Sequence, residues 1–167
     1  MTTLPVPLEV ARSIDCGSVF VELAYTPVTD TAHFSGRAQG DPFRDRLELR
    51  MTNRGLPEGA AFDYLSPDPL HLFFSVVRKL KNGSLLDVTS PQIDPRHTGK
   101  PTPQKMSFAR AGETLTDRIS YFAFATIVPD EERVRGEYLV RISGFEIVRV
   151  GVRACRFEPI ELPLTVL

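Results

Sequence analysis

A chain of 167 residues, 42% hydrophobic and 25% charged, is long enough to bury a core of its own as one domain, so neither a disulfide framework nor a structural metal is required. Twenty basic against twenty-one acidic residues, a formal charge of −1, exclude the concentrated basic face that nucleic-acid backbones demand. Fourteen prolines and eleven glycines favour many short elements joined by turns over a few long helices.

The chain opens "MTTLPVPLEVARSIDCGS", with no basic stretch followed by an apolar core, so it does not read as a secretory signal. No run approaches the ~18 apolar residues that cross a bilayer, and no membrane association is expected. Cys16 and Cys155 are far apart and match no CxxC pattern. The expectation is a cytoplasmic protein with two free, buried thiols. "SVFVELAY" sets Val19, Val21, Leu23 and Tyr25 on one face, and "LELRMTN" sets Leu47, Leu49 and Met51 against Glu48, Arg50 and Thr52. Period two over that length is a half-buried strand.

"GLPEGAAFDYLSPDP" reads as a long loop over 56–69, bearing Phe62, Tyr64 and Leu65. Aromatic residues at loop tips are common interface anchors, and the competing reading tucks them back to plug one end of the fold. "LHLFFSVVRKLKNGSLLDV" follows. Asn82-Gly83 between two β-rich runs predicts a hairpin with a two-residue type I′ turn. Phe73, Phe74, Val76 and Val77 make its first arm apolar on both faces, which places it inside a sheet. Residues 90–104 carry Pro91, Pro95, Pro101 and Pro103, a second long loop stiffened for docking, with Arg96, His97 and Lys100 as its candidate binding residues.

"RAGETL" is a turn delivering a strand through Leu115, Ile119 and Tyr121, and "VRGEYLVRIS" repeats the device with Tyr138, Val140 and Ile142 on one face. A single helical turn fits after Pro129. "IELPLTV" alternates Ile160, Leu162, Leu164 and Val166 with polar positions, and Pro163 confines that strand to an edge or to one-sided pairing. No segment shows three turns of helical periodicity. The pattern predicts an all-β domain spanning 1–167, a two-layer antiparallel β-sandwich of eight or nine strands with two long loops.

"LELRMTNRG", the "NGS" hairpin, the Pro-rich loop, "RAGETL" and "GEYLVRISG" together resemble a family of bacterial and fungal immunoglobulin-like modules. These share "L-x-V-x-N-x-G", a "PGE" turn and a final "G-x-Y-x-V". The intracellular proteinase inhibitor of bacilli and the small β-domain of lysine-specific metalloendopeptidases are similar in this respect. The resemblance covers roughly residues 44–146 and rests on Asn53, Gly55, Gly112, Glu113, Gly136 and Tyr138. Ala111 stands where the family has proline, and there is no tryptophan. It implies an immunoglobulin-like sandwich and carries no active residue across, because fold analogy does not select a function.

The residues give little chemistry. His33, His71, His97, Cys16 and Cys155 are too scattered for a zinc site, and Asp41/Asp45 and Asp63/Asp68 lack calcium-loop spacing. Ser75 in "FFSVV" has no flanking glycines and is no nucleophile elbow. "HTGKPT" puts Pro101 where a phosphate loop needs a hydroxyl. No catalytic residue, metal or cofactor is expected. The leading reading is a non-enzymatic module that binds a protein or peptide, by its loops or by strand addition at an edge, with a homodimer as the variant in which an edge strand is donated to a second copy. An intracellular protease inhibitor is the second reading, and a small-molecule-binding or metal-dependent β-sandwich enzyme the third.

Overall fold

A computed structural model describes residues 7–37, 46–66, 74–90, 103–120, 125 and 127–167. In chain order the elements are β1 (Glu9–Asp15), β2 (Val19–Tyr25), β3 (Val28–Thr29), α1 (Thr31–Phe34), β4 (Arg46–Asn53), β5 (Ala61–Tyr64), β6 (Phe74–Lys79), β7 (Leu85–Asp87), β8 (Gln104–Ser107), β9 (Thr114–Ser120), β10 (Gly136–Ile142), β11 (Phe145–Val150), β12 (Arg153–Phe157) and β13 (Ile160–Val166). A 3-10 turn at Asp130–Glu132 follows Pro129, as the sequence predicts. The protein is all-β. Its sheets run β1-β2-β4-β9, β3-β13-β10-β6-β7 and β12-β11-β5-β8.

Period two sets the faces. In the first sheet Val21 lies opposite Met51, Leu23 opposite Leu49 and Tyr25 opposite Leu47, and all six are buried. In the second, Tyr138, Val140 and Ile142 of β10 pair with Leu164, Leu162 and Ile160 of β13. These residues, with Phe62, Tyr64, Ile147 and Phe157 of the third sheet, belong to one hydrophobic cluster. Each such side chain contributes roughly 1.5–3 kcal/mol by leaving water.

The second and third sheets share one element. Only Ser143 and Gly144 separate β10 from β11, and only Glu158 and Pro159 separate β12 from β13. Residues 136–166 are therefore one long hairpin, turning at Gly151–Val152 and bent midway. Above the bend it pairs with β6, and below it with β5. Gly144 marks the bend because a Cβ there would sit 3.1 Å from the Phe157 carbonyl oxygen and 3.4 Å from Pro159 Cδ.

Thirteen strands occur among the described residues, against eight or nine expected. The bend divides one predicted pair into four, and β3, β5 and β8 were not anticipated. β13 pairs along its length with β10 but meets β3 only at Thr165 and Val166, so Pro163 lies where the strand has a single partner. The 74–87 hairpin forms, with β6 between β10 and β7, but its turn is not type I′. Gly83 takes φ +83° and Asn82 does not have a positive φ. The Gly83 N–H donates to the Leu80 carbonyl at 2.9 Å and the Leu80 N–H to the Ser84 carbonyl at 2.8 Å. That is a three-residue loop, a type I turn closed by a left-handed glycine. Asn82 instead accepts from the Ser84 N–H through its side chain at 2.9 Å.

The residues that carry the family resemblance meet at two points. Asn53 Oδ1 accepts from the Gly55 and Leu56 N–H groups at 3.0 and 2.8 Å, while its Nδ2 donates to the Leu56 and Arg110 carbonyls at 3.0 and 3.1 Å. Glu113 folds its carboxylate back onto the Ala109 and Arg110 N–H groups at 2.6 and 3.2 Å. One node thus joins the end of β4 to the turn before β9. Tyr138 sends its hydroxyl upstream to the Val134 and Glu132 carbonyls at 2.5 and 2.9 Å, the arrangement of a tyrosine corner.

Candidate functional site

Phe62, Tyr64 and Leu65 do not crown a loop. "AFDY" is strand β5, with Phe62 and Tyr64 inward and Asp63 outward. Phe62 stacks on Phe108 with ring centroids 5.1 Å apart. Tyr64 is 2% exposed and donates to Asp117 at 2.5 Å, an oxygen it shares with the Ser66 hydroxyl at 3.2 Å. Burial and the adjacent carboxylate push the Tyr64 phenol far above its ordinary range. Leu65 is buried as well. This corrects the expectation that the three are exposed anchors: the alternation within four residues wins over the Gly and Pro that flank them. Arg96, His97 and Lys100, with the loop over 91–102, lie outside the described residues.

The thiol expectation is also corrected. Cys16, at the turn after β1, and Cys155, in β12, form a disulfide with a Cα–Cα separation of 6.1 Å. Both sulfur-bearing residues are buried. The bond spans 139 residues of sequence, which no spacing rule could have paired. It ties the first sheet to the third.

The exposed apolar surface that sequence reading missed lies on the β6–β7 hairpin. Leu80, Leu85 and Leu86 are 36%, 44% and 38% exposed. β7 pairs with β6 through Leu85–Lys79, Leu86–Arg78 and Asp87–Val77 and ends the five-stranded order. Leu85 and Leu86 are consecutive, so they point to opposite faces, and neither face of β7 is covered. Exposed Lys79 and Lys81 flank them. The sequence predicts this strand as the second arm of a hairpin, but not its exposure, because "LLD" does not alternate and so shows no face to be left bare. An edge with side chains of this kind is suited to taking up an extended peptide.

The charged outer face of the third sheet has the opposite character. Arg156 lies opposite Glu146, Glu146 pairs with Arg149, Arg149 lies opposite Asp63, and Asp63 pairs with Lys105 at 2.6 Å. The Arg149 guanidinium holds the Glu146 carboxyl below its usual range. On the first sheet Glu48 is buried, with Arg50 at 2.9 Å and Arg118 at 3.3 Å. Signs alternate throughout, so these arginines do not form a basic face. His33 is engaged by Asp30, which caps α1, and Ser75 lies within β6.

Among the described residues no group of three or more His, Cys, Asp or Glu side chains is placed to hold a metal ion, and no helix is long and apolar enough to cross a membrane. Comparison with protein-family models, with curated proteins and with solved structures finds no match to this chain.

Proposed function

We propose that this chain is a non-enzymatic binding module that takes an extended segment of a protein partner onto the edge of β7 with which no described strand pairs. The observation that carries the reading is the exposure of Leu85 and Leu86 on an edge strand, with Leu80 exposed at the turn beside them. Main-chain pairing along an edge supplies affinity, and alternate side chains flanking it supply selectivity. Isolated surface leucines are ordinary, but three on one hairpin beside an edge are a liability unless something covers them.

The scaffold we infer is a two-layer, immunoglobulin-like sandwich. Its support is the bent hairpin 136–166, which makes the second and third sheets one continuous layer, together with the Tyr138 corner and the single core. The resemblance to inhibitor-like modules is kept on the same footing, since Asn53 and Glu113 have a shared structural task. The inhibitor function itself would rest on the Pro-rich loop, which lies outside the described residues. The Cys16–Cys155 disulfide favours a compartment that is not strongly reducing over the cytoplasm.

The test is affinity capture from the protein's own source cells with the wild type and with a Leu85→Asp/Leu86→Asp double variant. The reading expects a stoichiometric protein partner with the wild type and its loss with the variant, whose melting temperature stays unchanged. A partner that the variant retains would move the interface elsewhere.

A further inference from the structure

At the bend of the long hairpin the outer surface is concave. An open cleft of about 580 Å³ lies there, lined by Arg12, Ser75, Arg141, Ser143 and Glu161, with Pro159 and Ile160 as its apolar wall. That volume falls within the range of small-molecule sites, about 300–1,000 Å³. Three elements that are remote in sequence supply its polar groups. Arg12 comes from β1, Ser75 from β6, and Arg141 and Ser143 from the end of β10, with Ser75 directly opposite Arg141.

The cleft is rich in donors. Arg141 uses Nε on Glu161 at 3.1 Å, and a guanidinium carries five N–H groups in all, so its remaining fork is free to face a ligand. The pair is well exposed on both sides, 41% and 59%, where ion pairing holds weakly. Arg12 has no ion-pair partner among the described residues. Two guanidiniums against one carboxylate, with two hydroxyls beside them, match an oxyanion, because arginine forks and hydroxyl donors address paired or tetrahedral oxygens.

We propose that this cleft is a binding site for the oxyanion group, phosphate or carboxylate, of a small molecule. The site is separate from the β7 edge and does not depend on the partner reading. It also accounts for the bend: a straight hairpin would present the same residues on a flat surface, whereas the turn at Gly144 makes them converge.

The experiment is a two-dimensional amide NMR titration of the disulfide-bonded protein with inorganic phosphate, and separately with succinate, at constant ionic strength set by chloride. Saturable shifts are expected at Arg12, Ser75, Arg141 and Ser143. The dissociation constant should rise about tenfold in Arg12→Gln and in Arg141→Gln, which is the loss of one charge-assisted hydrogen bond. Arg149→Gln removes the same charge from β11, outside the cleft, and should leave the constant within about twofold. Saturation by either anion at these residues supports the site and shows which oxyanion geometry it prefers. Shifts that stay linear for both anions, or an equal loss in Arg149→Gln, overturn it as general surface charge.

Discussion

Tyr64 illustrates how much a single residue's role turns on its neighbours. In the sequence it is an aromatic between a glycine-rich and a proline-rich stretch. In the fold it is a core residue whose hydroxyl reaches across from the third sheet to Asp117 of the first. Tyr64→Phe takes one of two hydroxyl donors from the part-buried Asp117 carboxylate, so it should lower stability by about 1–3 kcal/mol in urea unfolding at neutral pH. The pH dependence has a definite sign. The folded-state pKa is raised above the ordinary 10.0, so unfolding releases the phenolic proton first. The contribution is fully present below pH 10 and declines as pH rises beyond it. Tyr64→Phe should therefore flatten the alkaline fall in stability; an unchanged slope would mean that the hydroxyl ionises freely in the fold. Asn53 and Glu113 were legible as motif letters because each bonds within a few residues of itself or to the next turn. Arg12 and Arg141 were not, because what gives them a common purpose is a bend that brings strands 129 positions apart in sequence to one cleft.

Among the elements, long strands with one buried face were readable from alternation and short ones were not. β2, β4, β10 and β13 alternate cleanly, and their predicted inward residues are buried. β5 is four residues long, too short for periodicity to outweigh the turn residues around it, whereas β7, three residues long, was legible through the Asn82-Gly83 turn and not through periodicity. The hairpin turn was right in place and wrong in type, because Asn82 spends its side chain on Ser84 instead of adopting a left-handed backbone. The disulfide was invisible for a related reason: pairing a turn after β1 with β12 requires knowing that the two lie side by side. Closing 139 residues of chain removes much of the unfolded state's freedom. The double variant Cys16→Ser/Cys155→Ser should lose about 2–5 kcal/mol, and the wild type should lose a similar amount only when reductant is added under conditions that open the fold, since both cysteines are buried. Calorimetry with and without reductant reads both. Equal melting temperatures for the variant and the wild type would show that the bond adds nothing to the native state.

At the scale of the whole molecule the protein is an all-β body with one core, an evenly mixed charge, and two surface features that break the evenness. The hairpin tip is apolar at a strand edge, and the bend is rich in guanidinium groups. The near-equal numbers of acidic and basic residues take physical form in the alternating ladder from Arg156 to Lys105. What composition could not reveal is where the exceptions fall, since both depend on which strands end the sheets and where the long hairpin bends. The central claim is that β7 is the docking edge. Its most direct test is amide hydrogen exchange on the partner-bound and free protein. The account predicts slowing by about tenfold or more at residues 85–87 on binding, with the amides of β1 and β12 unchanged. Protection that appears at β1, β12 or the charged outer face, while 85–87 exchange as in the free protein, would contradict it.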